Sequence, residues 1–349
     1  MEVKDNKASK GGPVVILGIE SSCDETAAAV LVDGVLRSNI VAAQDVHKAW
    51  GGVVPELASR AHQENIVPVV DQALKAAGIT RDRLSAIAFT RGPGLMGALL
   101  VGTCFARSMA QALNIPLIAV DHMQAHILAH FIKDDRPRPV PSFPFLNLTV
   151  SGGHTQLVLV HGPLHMEVIG RTLDDAAGEA FDKGAKILGL PYPGGPLVDR
   201  YAKDGDAKKF KLPIPQIGGL DMSFSGVKTA FREIVQRGVQ ADPAFIDREL
   251  PHLCASLQQD LIDILLRKVH KAMRNHGIDQ IAISGGVSAN SALREQIRQL
   301  GSREDRQVFI PPIEYCTDNG AMIAMAGHFM FLEGRYTTLD TVPVTRWPA

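Results

Sequence analysis

Cysteine is scarce. Cys23, Cys104, Cys254 and Cys316 are the four in 349 residues, and no two are close in sequence. That excludes a CxxC motif and a disulfide framework, and it fits a reducing compartment. Aromatic residues make up 5% of the chain, too few for a platform on which single-stranded bases stack. Excess charge is lacking too: 36 Lys and Arg nearly cancel 37 Asp and Glu, leaving −1. Any nucleic-acid contact must therefore use local patches or partner proteins, not a chain-wide basic surface. Long apolar runs are also missing. The longest stretches free of Asp, Glu, Lys, Arg and His, 92–106 and 139–153, contain several Gly or Pro and fall short of the about 18 apolar residues a membrane helix needs. Residues 1–12 have no apolar segment of the kind a secretory signal carries, and read as a polar tail. These absences predict a cytoplasmic protein with no membrane partner.

What is present is ordinary for a folded chain of about two domains: 46% hydrophobic and 21% charged residues. Residues 14–19 form a short apolar run with β-branched members, a buried strand. A small polar loop follows at 20–26, then a second apolar run at 27–32, a turn at Asp33-Gly34 and a third strand at 35–41. The same plan returns midway, with a strand at 145–150, the loop Ser151-Gly152-Gly153-His154-Thr155, a strand at 157–160, a turn at His161-Gly162 and a strand at 165–170. Two such units about 130 residues apart predict an internal duplication into two similar lobes. Between them lie a helix at 56–77 stopped by Gly78, a strand at 84–90, a turn at Gly92-Pro93-Gly94, a helix at 95–113 and a strand at 117–120. This alternation is α/β. Residues 136–144 read as a Pro-rich crossing loop and 204–219 as a surface loop. A C-terminal helix at 319–332 is expected to return to the first lobe. The resulting division is 1–120 plus 317–349 against 121–316.

Three loops rich in Gly and Ser follow strands, at 18–26, 151–155 and 284–290, the last leading into a helix at 291–300. Small residues let backbone N–H groups approach an anion, and a helix N-terminus adds a favourable dipole. Together they favour a bound nucleotide, without a Walker A or GxGxxG pattern. His122 and His126 stand four apart just after a strand, so a helix presents both imidazoles on one face, a spacing suited to a divalent transition metal. His130 continues the stripe. Asp318 is a candidate third ligand, although Thr317 and Asp318 also sit where a helix N-cap belongs. Met123 stands where a zinc peptidase of the HExxH type carries its general-base Glu. Asp175, Glu179 and Asp182 are spaced to share one helix face, with Lys183 and Lys186 near, and a rigid turn follows at 192–196. Such carboxylates suit ribose hydroxyls or the amine of an amino-acid moiety. The 221–226 segment reads as an exposed hydroxyl loop.

Taken together, segments 18–26, 91–102, 122–126, 151–155, 174–190, 192–196, 223–229, 284–290 and 315–324 resemble one family. It is the tRNA N6-adenosine threonylcarbamoyltransferases (TsaD), formerly labelled O-sialoglycoprotein endopeptidases. The likeness runs from about Val14 to the Arg-Trp-Pro ending at 346–348 and looks like the bacterial branch. Gln124-Ala125 replaces the more usual Glu-Gly between the histidines, and Gly320 a frequent Ala. The resemblance implies a duplicated actin/hexokinase/Hsp70-like (ASKHA) fold of two lobes with an interlobe cleft. It implies transfer of the threonylcarbamoyl group from threonylcarbamoyl-AMP to N6 of the adenosine beside the anticodon, in tRNAs reading codons that begin with A, forming t6A. It implies one divalent metal on His122, His126 and Asp318, iron (Fe2+) with Zn2+ or Mg2+ as alternatives. Implied substrate contacts are Val150, Ser151, Gly152, Gly153, His154, Asp182, Gly195, Asp199 and Asn290. Candidate proton acceptors are Asp24, Glu25 and His154. Implied partners are tRNA, a TsaB-like inactive paralogue, a TsaE-like ATPase and a TsaC-like enzyme that supplies the adenylate. Local tRNA contacts could use Lys133, Arg136, Arg138, Lys203, Lys208, Lys209 and Lys211. The competing readings are an ATP-dependent kinase of the same fold, which needs no histidine pair, a nucleotide-switch module, for whose second domain the chain has no length left, and the old metalloprotease label.

Overall fold

The computed structural model describes residues 12–346 except 214 and 216, and the backbone alone of Lys48. The polar tail read over 1–12 lies outside this range apart from Gly12, as do Trp347 and Pro348 of the C-terminal ending. The chain divides into two compact units, Met1–Pro139 with Asp318–Ala349, and Val140–Thr317.

The first unit is built on a five-stranded sheet in the order β3-β2-β1-β4-β5: β1 Val15–Glu20, β2 Glu25–Val32, β3 Val35–Ala43, β4 Ala86–Gly92 and β5 Leu117–Asp121. β1 pairs antiparallel with β2 and parallel with β4. Every residue of β1 is buried, which is why it reads as an unbroken apolar run rather than an alternation. Helix α1 (Pro55–Ala77) ends where Gly78 takes a left-handed conformation at φ 64 and its N–H donates to Lys75 O. Helix α2 (Met96–Leu113) is, among the described residues, long and apolar enough by length and composition to cross a membrane. Its buried residues Ala98, Leu99, Gly102, Thr103, Ala106 and Ala110 seat one face of it on the core of this unit, and a third of it is buried.

The second unit repeats the plan, with the order β10-β9-β6-β7-β8. Its strands are β6 Phe145–Val150, β7 Thr155–Gly162, β8 His165–Arg171, β9 Gln280–Ser284 and β10 Gln307–Phe309. β6 is antiparallel to β7 and parallel to β9, as β1 is to β2 and β4. The duplication expected from the strand–loop–strand pattern is present in order and in direction. The helices of this unit are α4 (Ala177–Ile187), α5 (Gly195–Ala202), α6 (Ser225–Ala241), α7 (Phe245–His276) and α8 (Ser291–Glu304). Their core gathers Leu148, Phe181, Phe224, Phe231, Leu257 and Leu261.

Two features of the first unit position its polar centre. Helix α3 (His122–Leu128) starts at once after β5, capped by Asp121, whose Oδ1 accepts from Met123 N at 2.7 Å and Gln124 N at 3.1 Å. Helix α9 (Gly320–Leu332) returns onto the first sheet as expected, and a missing side chain lets it do so. A Cβ on Gly18 would stand 2.5 Å from Gly320 O and 2.7 Å from Ala324 Cα. The division drawn from sequence placed 121–139 in the second lobe; the structure places this segment in the first unit. α3 packs there on α9 and continues β5 without a linker.

The segment after α9 also closes on the first unit. Arg91 Nε donates to Val342 O at 3.0 Å, and Val344 N–H donates to Arg91 O at 2.9 Å. A Cβ on Gly92 would run into Val344 O, so glycine is what lets the two segments meet. At about 1 kcal/mol of net stabilisation per hydrogen bond, truncation after Thr341 is expected to cost about 1–2 kcal/mol. Urea unfolding of the shortened chain checks this.

Candidate metal centre

The histidine pair expected from spacing and Asp318, the candidate third ligand, come together in the first unit. One ligand atom each from His122, His126 and Asp318 lies within 4.8 Å of the others. Asp318 Oδ1 is 3.4 Å from His122 Nε2 and 3.1 Å from His126 Nε2. Both imidazoles are buried, while the Asp318 side chain keeps 20% of its surface exposed. The expectation that Asp318 competes for a helix cap is not met: Asn319 caps α9, its side chain accepting from Met322 N at 3.0 Å. The Asp318 carboxylate is left to face the histidines.

These residues fit a divalent ion. His126 Nε2 approaches Asp318 without the alignment of a hydrogen bond, and Nδ1 and Nε2 of His126 are both buried without a hydrogen-bond partner. A buried imidazole so placed is costly unless something else takes its lone pair. Ligands about 2.1 Å from one ion stand about 3.0–3.4 Å apart at octahedral or tetrahedral angles, which are the separations of Asp318 Oδ1 from the two imidazoles. Two imidazoles and one carboxylate form a donor set suited to ferrous iron or zinc.

Electrostatics bind the cluster together. Burial alone would raise the Asp318 carboxyl, but the two imidazoles overcome this and hold it well below its ordinary range. Burial alone would lower His122, but the Asp318 and Glu20 carboxylates raise it well above its ordinary value. Glu20 was not singled out from sequence. It is fully buried at the end of β1, with Oε2 3.0 Å from His122 Nδ1. Of the candidate proton acceptors, Glu25 is pushed up to about 9 by burial and then by the charges of Asp318 and Asp24. His154 lies in the second unit, its N–H donating to Ser151 Oγ at 3.1 Å.

The glycine loops differ in what they offer. In the first, the Ser22 N–H is already taken by Glu20 Oε1. In the second unit, Gly152 and Gly153 border open space where a Cβ would project, and so does Gly286. The second and third loops follow the parallel neighbours β6 and β9, and Gly285, at φ +84, packs against Val150, where a Cβ would meet Val150 O at 2.5 Å. Gly178, at the start of α4, is equally tight against Ser151 O, and its N–H donates to that oxygen at 3.2 Å.

Other expected contacts have structural duties. Asp182 Oδ1 accepts from the N–H groups of Gly194 (2.9 Å) and Gly195 (3.1 Å), tying α4 to the start of α5. Asp199 takes both the N–H and the hydroxyl of Ser291. Asn290 caps α8 through Leu293 N and donates to Gln258 Oε1. The shared acidic face expected for Asp175, Glu179 and Asp182 is split: Asp175 and Glu179 pair with Lys183, and Lys228 joins Asp175 at 3.3 Å. The 221–226 loop is engaged as well, since the Ser223 and Ser225 hydroxyls donate to Asp174 Oδ2 at 2.5 and 2.6 Å. Among the basic residues, Arg136 and Arg138 pair with Asp134, and Lys209 with Glu249.

The family model for tRNA N6-adenosine threonylcarbamoyltransferase (TsaD) matches residues 35–325. A curated relative of that name from Christiangramia forsetii is 57% identical over 332 residues, 95% of this chain and 97% of the relative. Relatives of the same name from Cytophaga hutchinsonii and Porphyromonas gingivalis are 56% and 52% identical, each over 95% of this chain and covering 96% and 98% of their own length. Full-length HypF, in its phosphate- and nucleotide-bound form, superposes with a TM-score of 0.61 at 11% identity, over 93% of this chain and 56% of that one. The ADPNP-bound activator of 2-hydroxyisocaproyl-CoA dehydratase from Clostridium difficile gives 0.51 at 12% identity, over 92% and 96%. Such distant likenesses speak to the fold alone, the duplicated actin/hexokinase/Hsp70-like one. This chain belongs to the tRNA N6-adenosine threonylcarbamoyltransferase family.

Proposed function

We propose that this chain transfers the threonylcarbamoyl group from threonylcarbamoyl-AMP to N6 of the adenosine beside the anticodon, in tRNAs reading codons that begin with A, using a divalent ion held by His122, His126 and Asp318. The observation that carries the ion is the buried His126 imidazole, which has no hydrogen-bond partner and stands 3.1 Å from the Asp318 carboxylate.

The N6 amine is a weak nucleophile because its lone pair is delocalised into the purine. The acyl group is therefore presented as a mixed anhydride with AMP as leaving group. The residues must hold the adenylate, offset its charge and align the amine. Alignment alone can contribute up to about 7–11 kcal/mol in favourable cases. When bound, the ion supplies Lewis-acid polarisation and positive charge at a phosphate or carbonyl oxygen. Ferrous iron is the first choice for it, with Zn2+ or Mg2+ as alternatives. Val150, Ser151, Gly152, Gly153 and His154 form the loop proposed to receive the adenylate. The open sides of Gly152 and Gly153 support close backbone approach to a phosphate. Asp182, Gly195, Asp199 and Asn290 are proposed to meet the nucleoside, Asp182 through Oδ2, since Oδ1 already accepts two N–H groups. The proton leaving N6 is assigned to the set Asp24, Glu25 and His154.

A near-neutral chain whose Arg136, Arg138 and Lys209 are already paired supports tRNA binding shared with other proteins. The proposed set is a TsaB-like inactive paralogue, a TsaE-like ATPase and a TsaC-like supplier of the adenylate, all in the cytoplasm. The test is reconstitution with those partners, unmodified tRNA, threonine, bicarbonate and ATP, followed by nucleoside mass analysis. The modified adenosine is expected with untreated protein, is expected to vanish after chelation, and should return with added ferrous or zinc ion. Undiminished product after complete metal removal would overturn the role of the ion.

A further inference from the structure

We propose that Glu20 is a positioning residue, which holds the Nδ1–H of His122 and thereby leaves Nε2 as the nitrogen that faces the ion. This rests on the reading of His122, His126 and Asp318 as a metal site, and it adds a residue that touches neither ion nor substrate.

Glu20 is the last residue of β1 and has no surface exposed to solvent. A carboxylate in such a place is tolerated only when its oxygens are matched by donors or by positive charge. Among the described residues no Lys or Arg is ion-paired with it. Its partners are Ser22 N–H on Oε1, and the Thr90 hydroxyl (2.5 Å) and His122 Nδ1 (3.0 Å) on Oε2. The imidazole is thus the basic group that this buried carboxylate faces. Thr90 belongs to β4 and Ser22 to the loop after β1, so the carboxylate is fixed by backbone elements on two sides before it meets the ring.

The consequence lies on the far side of the ring. The two nitrogens of an imidazole point in different directions, and the hydrogen bond at one decides which is free at the other. With Nδ1 held by Glu20, Nε2 lies 3.4 Å from Asp318 Oδ1. His126 provides the contrast within the same site. Its Nδ1 is buried with no hydrogen-bond partner, so nothing comparable orients that ring from behind. The two histidines are therefore unequal: His122 is oriented by a carboxylate, and His126 by packing. Carboxylates behind metal-bound histidines typically change metal affinity 10- to 100-fold when removed.

The test uses the full-length chain and Zn2+ alone. In zinc-loaded wild-type protein carrying 15N-labelled histidine, His122 is expected to show a protonated Nδ1 and zinc on Nε2. Zinc on Nδ1 of His122 would overturn the proposal, and this readout needs no variant to fold. In Glu20→Gln, zinc affinity measured by competition with a chelating dye is expected to fall 10- to 100-fold, and the His122 spectrum should show a mixture of tautomers. Unchanged affinity, or reduced affinity with the His122 tautomer intact, would overturn it. Failure of the wild type to take up zinc would instead overturn the metal site itself.

Discussion

Replacing His126 by Ala is expected to reduce formation of the modified adenosine by more than about 100-fold, a larger loss than removing a residue behind a ligand causes. The protein should remain folded. The His126 ring makes no hydrogen bond, and Asp318 keeps His122 as a partner when the ring is removed. The expected cost is a cavity term of about 1–3 kcal/mol. The decisive contrast is in ligand-linked stability. An ion at about 100 times its dissociation constant stabilises a folded protein by about 2.7 kcal/mol. Added metal should therefore raise the unfolding midpoint of the wild type and leave that of His126→Ala unmoved. Asp318→Asn should behave alike, since a neutral amide is a far weaker ligand for a divalent ion than the carboxylate that now faces both imidazoles. Thermal unfolding with and without metal, beside nucleoside analysis of tRNA, checks both statements. A variant that keeps its activity would show that the imidazole packs and does not ligate.

The second large effect is expected far from any donor atom. Gly18→Ala places a methyl group 2.5 Å from Gly320 O, 2.7 Å from Ala324 Cα and closer still to Ala324 N. These are backbone atoms of α9, so no side chain can turn away to make room. Helix α9 would have to lift from the sheet, at a cost of about 3 kcal/mol or more. Asp318 stands two residues before this helix, so the variant should also lose affinity for the ion. Gly152→Ala is the matched control, because a Cβ there meets nothing within 4 Å. Its stability should stay within about 0.5 kcal/mol of wild type. Urea unfolding of the two variants separates them, and equal destabilisation would contradict the packing described.

Much of this was legible in the residues themselves. The strand–loop–strand units were visible because buried strands leave unbroken apolar runs, and β1 and β6 are buried throughout. The histidine pair was visible because four-residue spacing aligns side chains on a helix. What stayed hidden depended on partners distant in sequence. Asp318 read both as a candidate ligand and as a helix cap, because local spacing cannot show that Asn319 takes the capping duty. Glu20 reads as a loop acid until β4 brings Thr90 beside it and α3 brings His122. Asp175 and Asp182 share a helical face on paper. Yet one carboxylate meets Lys228 from α6, and the other meets amides of the turn before α5. The division at residue 121 failed for a similar reason: α3 follows β5 with no linker, and its packing on α9 keeps it in the first unit.

The most direct measurement is elemental analysis of the purified wild-type chain beside His126→Ala and Asp318→Ala. Close to one tightly held transition-metal ion per wild-type chain, and none in either variant, is the predicted result. Equal metal content in all three proteins, or none in the wild type after loading with ferrous or zinc ion, would contradict the claim that these side chains form a metal centre.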